Sequence, residues 1–295
     1  MKSINPLNYS YSIPSKLTTT PIVVLVVTTL YILLAKISFL ITIDPGTVSP
    51  IYLGAGFAFA SVLILGRKAL IGIWIGSFYS NIFLDIEIAN LHKEHLLSLL
   101  PIGLFISFGT VIATITGTNI VTRLCKKEHP LSNGQNVLML LILGTISYST
   151  ITSLVGVISL TYHGSISAEQ FWYTYKTWWL GDSIGIILIT PFMLSWFLKD
   201  SLNKNNFKYF ELTLYGLATI LLCFGIFFQY HDLKYLILPL LFLSAYRFGI
   251  QITTLFIIII SLFAITTTSQ GIGPFNEEHI NDSILFLDFF LSLIT

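Results

Sequence analysis

The chain has 295 residues, of which 54% are hydrophobic and only 10% charged, and its formal net charge is +1. Soluble domains carry about 25% charged residues, so this deficit points to lipid as the main solvent. The near-zero net charge leaves no electrostatic footprint for nucleic acid. The two cysteines, Cys125 and Cys223, form no CxxC or metal-spaced pair, and no metal or cofactor is expected.

Residues 1–19 are polar and read as an N-terminal tail. The apolar run that follows, 20–42, is too long for a signal-peptide core and lacks a small-residue cleavage site, so it reads as an uncleaved first span. A helix needs about 20 apolar residues to cross the hydrocarbon core. On that measure the further candidates are 50–65, 68–85, 96–122, 136–161, 177–198, 208–229, 234–247, 249–268 and 282–295. The expected fold class is therefore all-α, a polytopic bundle of about ten spans. The segments 50–65 and 234–247 are short and carry Pro50 and Pro239, which favours broken or partly re-entrant helices.

Lysine and arginine favour the cytoplasmic side of a membrane. With the N-terminus inside, the inner side holds Lys2, Lys16, Arg67, Lys68, Arg123, Lys126, Lys127, Lys199, Lys204, Lys208 and Arg247, eleven of the fifteen basic residues. The outer loops hold Lys93, Lys176 and Lys234, and Lys36 lies inside the first span. This pattern fits ten spans with both termini in the cytoplasm. It also places Cys125 and Cys223 at different depths, which argues against a disulfide between them.

Two GxxxG pairs fall on expected helices, Gly72/Gly76 and Gly181/Gly185. Lipid offers helices no hydrophobic drive to associate, and such glycines let backbones approach. The expected use is packing within the chain, with a homodimer as the second candidate. The segment WWLGDSIGIILITP, 178–191, places Asp182 inside a span. An ionisable group there is costly and functional by default. Helical spacing sets Trp178, Asp182, Gly185 and Ile189 near one face, and the glycine on that face implies that Asp182 faces protein. Its readings are a packing or interfacial anchor, or a contact for a sensed ligand, with Lys36 and Lys176 as candidate counter-charges.

Trp178 and Trp179, with Trp172, Tyr173 and Tyr175, form an aromatic cluster at the outer boundary. It reads as an interfacial belt or as the wall of an outward-facing pocket. His92 and His95 at i, i+3 are a weak metal pair, and five of the six histidines fall in outer loops. Arg247, in YRFG, reads as an inner-side anchor. No GxSxG, HExxH or Walker loop is present, so no catalytic residue is assigned and the chain is not expected to be an enzyme.

Three longer segments, taken in order, resemble a known family: SPIYLGAGFAFASVLILGRKALIGIWIGSFYSN at 49–81, TYKTWWLGDSIGIILITPFMLSW at 174–196, and LPLLFLSAYRFGIQITT at 238–254 followed by SQGIGPF at 269–275. They resemble the MASE1 domain, a bacterial integral-membrane sensory module, and would make 20–295 one such domain. The resemblance implies a signal-input role in the inner membrane, relayed to a cytoplasmic histidine kinase, diguanylate cyclase or phosphodiesterase as output domain or partner. It transfers no established ligand-binding residue. Where family members tend to carry a Trp-Pro-Pro-rich entry to the second span, this chain has Pro50-Ile51-Tyr52-Leu53-Gly54.

Fourteen residues from Asp282 cover about 21 Å, short of the ~30 Å core, so the last helix reads as incomplete, with no output domain in this chain. The residues expected to sense or pack are Tyr52, Gly54, Trp178, Trp179, Gly181, Asp182, Gly185 and Arg247, around an unknown small-molecule ligand. The alternative is a secondary transporter for a small solute, since such proteins use short, proline-interrupted helices and an intramembrane acid. LGAGFAF at 53–59 and LGDSIGI at 180–186 form a weak internal echo consistent with it.

Overall fold

The computed structural model describes residues 19–40, 51–84, 96–126, 128–197, 209–277 and 280–295. Nearly all of the N-terminal tail, His92, His95 and His279 therefore lie outside the described residues. The chain divides into two compact units, Met1–Ile186 and Ile187–Thr295.

The described residues of the first unit are helical with short connections. Helix α1 (Thr20–Phe39) begins with a proline in its first turn, a position where the missing N–H costs nothing. Then come α2 (Leu53–Leu65), α3 (Ala69–Tyr79), α4 (Leu96–Leu124) and α5 (Thr145–His163). A short turn of helix and a π-helical stretch, Met139–Gly144, lead into α5. Gly164, at φ 79°, closes α5 in the left-handed conformation that glycine adopts without steric cost. A Ser167–Gln170 capping box then opens α6 (Phe171–Phe197), which runs from the first unit into the second.

The apolar stretch Leu53–Ile82 is a helical hairpin. A methyl group added at Gly54 would lie 3.3 Å from Cζ of Tyr31, and one added at Gly76 would lie 2.8 Å from Cβ of the same tyrosine. In one straight helix these glycines would be roughly 33 Å apart, beyond the reach of a single side chain. The fold-back occurs at Gly66, at φ 74° and ψ −167°, a region open essentially to glycine alone. Arg67 and Lys68 form the exposed tip.

Small residues on the returning arm fit α1 closely. Gly72 sits against Val24 and Val27, Gly76 sits against Tyr31, and the Thr28 hydroxyl donates to the Gly72 carbonyl at 3.1 Å. The Gly72/Gly76 pair is thus used inside the chain. On the other side, Phe59 of α2 wedges its ring against Gly117 of α4 and Gly144.

The second unit contains the end of α6, then α7 (Tyr209–Phe228), α8 (Ile237–Phe248), α9 (Ile250–Ser269) and α10 (Ile280–Ile294). Its hairpin repeats the device of the first. Gly249, at φ 83° and ψ 178°, separates α8 from α9, and Thr253 donates to Ser244 across the turn at 3.1 Å. Tyr215 of α7 packs edge-on against Phe248 and Phe256, and its hydroxyl donates to the Leu240 carbonyl. Arg247 makes a 2.5 Å ion pair with Glu211. Cys125 and Cys223 are both free and buried.

By length and composition, seven helical stretches among the described residues suffice to cross a membrane: Thr20–Phe39, Leu53–Ile82, Leu99–Leu124, Gly134–His163, Ala168–Phe197, Tyr209–Phe228 and Ile250–Ser269. The regular structure among the described residues is all helical, and the protein is a multi-pass membrane protein. The expected spans 50–65 and 68–85 are the two arms of the Leu53–Ile82 stretch, and because it folds back at Gly66 neither α2 (13 residues) nor α3 (11 residues) reaches that length by itself. The expected spans 234–247 and 282–295 are helices of 12 and 15 residues, about 18 and 22 Å long, and fall below that length.

The connection after α4 is built around His129, which is 6% exposed and whose Nδ1 accepts the Leu131 N–H at 3.0 Å. Asn136 ties it together by donating to Ser132 at 3.0 Å and to the His129 carbonyl at 3.5 Å. Burial pushes the His129 pKa from 6.5 down to about 4. A depressed histidine stabilises the fold in its neutral form, so its contribution is complete above about pH 6.5 and declines as pH falls towards 4. Thermal unfolding followed between about pH 7 and pH 4 should show a loss of stability that His129→Gln reduces.

Candidate functional site

The functional geometry of the first unit gathers where α6 meets α5 and the entry to α2. Residues 181–186 of α6 are all buried, so this helix has no lipid-facing side there. Close approach requires a glycine at 185. The Tyr52 N–H donates to the Gly181 carbonyl at 2.9 Å, and the Tyr52 carbonyl rests so close to Gly185 Cα that a methyl group there would overlap it. The Gly181/Gly185 pair thus serves a helix-to-backbone joint within the chain. It also brings the two echoing LG segments, 53–54 and 180–181, to the same place.

Asp182 is 8% exposed and accepts a hydrogen bond from Thr152 of α5. The contact that Asp182 makes among the described residues is with this hydroxyl, where the sequence left Lys36 and Lys176 open as counter-charges. Hydroxyls continue the seam on either side. Ser183 donates to Ser149 at 3.0 Å, and the Trp179 indole donates to Thr150 at 3.2 Å. Trp178 covers Gly156, where any side chain would collide with its ring. Thr152 has a single proton and three acceptors within reach: the Asp182 carboxyl and the carbonyls of Tyr148 and Ser149, each of these two at 3.2 Å. The hydroxyl therefore has alternative hydrogen-bonded arrangements, decided by whether Asp182 accepts from it.

Tyr52 extends this seam towards α1. Its hydroxyl donates to that of Tyr31 at 3.3 Å, and its ring packs edge-on between Tyr31 and Phe39. The Leu53 N–H donates to Ser38 at 2.9 Å, so the α2 entry is fastened to α1 and α6 together. Behind Tyr31, Ser77 and Thr110 join α3 to α4 at 3.1 Å. Tyr31 and Tyr148 are each 1% exposed.

Of the sequence-selected residues, the structure brings together Tyr52, Gly54, Trp178, Trp179, Gly181, Asp182 and Gly185. Gly54 serves by leaving room for the Tyr52 and Tyr31 rings. Arg247 belongs to the second unit, in its pair with Glu211. Trp172 and Tyr173 are exposed at 65% and 46%, as an interfacial belt requires, whereas Trp178 and Trp179 pack against α5.

The sequence reading missed Tyr31, Tyr148, Ser149, Thr152 and Thr110. The signal was present as hydroxyl density, in TISYSTITS at 145–153 and in the four-residue spacing of Thr110, Thr114, Thr118 and Thr122. The network is rich in hydrogen-bond donors and acceptors. Its one carboxyl is engaged by a hydroxyl, which suits a switchable contact between helices better than bond-making chemistry.

A family model, MASE1, matches residues 23–295, almost the entire chain. The chain belongs to the MASE1 family. No curated protein matches it, and no solved structure does. MASE1 is a family of membrane sensory domains found in signalling proteins, and a sensory domain is not itself catalytic. The joint at Tyr52, Gly181 and Gly185 and the Asp182–Thr152 pair lie within the matched residues of this MASE1 domain. In this MASE1 chain the second-span entry holds Tyr52, whose N–H, carbonyl and hydroxyl each meet a different part of the seam.

Proposed function

We propose that this MASE1 domain is a signal-input module of a bacterial inner membrane. It receives a stimulus in the first unit and relays it, through helix packing, to a cytoplasmic kinase or cyclic-di-GMP output domain or partner. The observation that carries the reading is the buried Asp182–Thr152 pair, set beside a backbone joint in which α6 holds the entry of α2. A stimulus shifts such an element only by its differential affinity for two packing states, and a hydroxyl with three competing acceptors is a contact with states to choose between. The asymmetry of basic residues supports ten passes with both termini in the cytoplasm. A small polar ligand matched to the Tyr52, Thr152 and Asp182 groups suits this seam, and a homodimer is the favoured assembly for passing on a packing change.

The second reading is a secondary transporter, favoured by the hairpin at Gly66 and the intramembrane acid. Proteoliposomes containing the purified chain separate the two readings. The sensory reading predicts no flux above empty liposomes for panels of amino acids, organic acids, sugars and cations. Saturable, substrate-dependent uptake abolished by Asp182→Asn would establish the transporter.

A further inference from the structure

A second buried acid, Asp288, has no role in the seam described above. It lies at the centre of the buried face of α10, among Ile284, Leu287, Leu291 and Ile294, and is 7% exposed. Neither carboxyl oxygen has a hydrogen-bond partner. Asp182, by contrast, receives the Thr152 hydroxyl.

Among the described residues, the elements packed on α10 supply no counter-charge. Helix α9 contains no titratable residue, and its hydroxyls at Ser261, Thr267 and Thr268 donate to carbonyls of their own helix. On α8, Tyr246 is 88% exposed and Arg247 is paired with Glu211 of α7. On α7, which reaches α10 through the Phe227–Phe290 contact, the Tyr215 hydroxyl is spent on the Leu240 carbonyl, Cys223 is buried and Tyr209 is exposed. In the turn before α8, His231 lies 3.2 Å from the Ile226 carbonyl, and Asp232 stands beside it in the same short helix. Lys234 donates to the Pro274 carbonyl at 3.3 Å beneath the Phe275 ring. On α10 itself, Asp282 is exposed.

An ionised carboxylate with neither oxygen satisfied is strongly disfavoured in an apolar interior. A metal cation would need several oxygen ligands, and the hydroxyls nearby in the fold are committed to their own helices. A proton needs only the carboxyl. We propose that Asp288 is a binding site for a single proton, enclosed between α10 and its neighbours, so that loading and unloading are tied to the packing of α10. Unloading places a bare charge on the buried face of the helix, and the helix must then expose that face or find a donor. The inference is independent of the sensory reading, and its test reads Asp288 alone.

An apolar carbodiimide adds to a protonated carboxyl in an apolar setting and spares a carboxylate. The full chain in detergent or nanodiscs is treated near neutral pH and digested, and the 280–294 region is examined by mass spectrometry. The expected result is an adduct on Asp288 that is lost in Asp288→Asn, is retained in Asp182→Asn, and declines as pH is raised. The infrared difference between wild type and Asp288→Asn should likewise contain a protonated-carboxyl band. Asparagine reproduces the size of a neutral acid, so the variant should fold; Asp288→Leu gives a second reference. Absence of the adduct together with carboxylate bands would overturn the proposal. So would an adduct suppressed by sodium but not by choline at fixed pH, which would make the site a sodium site.

Discussion

Gly185→Ala is expected to lower the stability of the domain by about 1–3 kcal/mol, the range for overpacking a closed site. The added methyl group would meet the Tyr52 carbonyl, which is backbone, and then the Leu53 nitrogen. Neither can rotate away as a side chain would. Tyr52 is further held by its N–H bond to Gly181, and Leu53 by its N–H bond to Ser38, so relief requires α6 to retreat from the α2 entry. The control is Gly216→Ala on α7, where the methyl group would touch only the Phe256 ring at 3.9 Å. Alanine in an open helical position is neutral to stabilising by roughly 0.5–1 kcal/mol. Unfolding of both variants in the same detergent should separate them with opposite signs, and equal effects would remove the joint from the account.

Thr152→Val is the second substitution with a large expected effect. Valine keeps the shape and removes the one hydroxyl that the Asp182 carboxyl meets. Hydrogen bonds between membrane helices average about 0.6 kcal/mol and reach about 1.7, whereas leaving a buried acceptor unmet costs about 1–3 kcal/mol. Asp182 is buried, so the cost should lie above the helix–helix average, at about 2 kcal/mol. Asp182→Asn retains an acceptor oxygen and should cost less. In the double variant Thr152→Val/Asp182→Asn the two losses should not add, with a coupling of roughly 1 kcal/mol. Simple additivity, measured by unfolding in one detergent, would show that the pair does not act as a unit.

How far the sequence was legible follows from what each signal depends on. Apolar length and the punctuation by Gly66, Gly164 and Gly249 are local, and helices occupy all ten expected segments, seven apolar stretches being long enough to cross a membrane. The GxxxG spacing points to packing within the chain, and Gly72, Gly76 and Gly185 lie against Val27, Tyr31 and the Tyr52 backbone. Asp182 was read as facing protein, which its burial bears out, and the contact it makes among the described residues is with a hydroxyl.

What a sequence does not contain is which helix lies across from a given face. In a bilayer both sides of a helix are apolar, so hydrophobic periodicity loses the information that it carries in water. Thr152 and Tyr31 were invisible as partners for that reason, although their hydroxyls stood out against the apolar background. Asp288, in LFLDFFL, was legible by the same rule that selected Asp182.

The central claim is that the Asp182–Thr152 seam sets the state that this domain passes on. The measurement that tests it most directly is the activity of the cytoplasmic output in membranes of the protein carrying the domain, as phosphotransfer or cyclic-dinucleotide turnover. Wild type is compared with Asp182→Asn and Thr152→Val at matched levels of folded, inserted protein. The account predicts that both variants lock the output at one level, shifted several-fold from wild type and no longer responsive to conditions that change it. Output that remains at the wild-type level and fully responsive in both folded variants would contradict it.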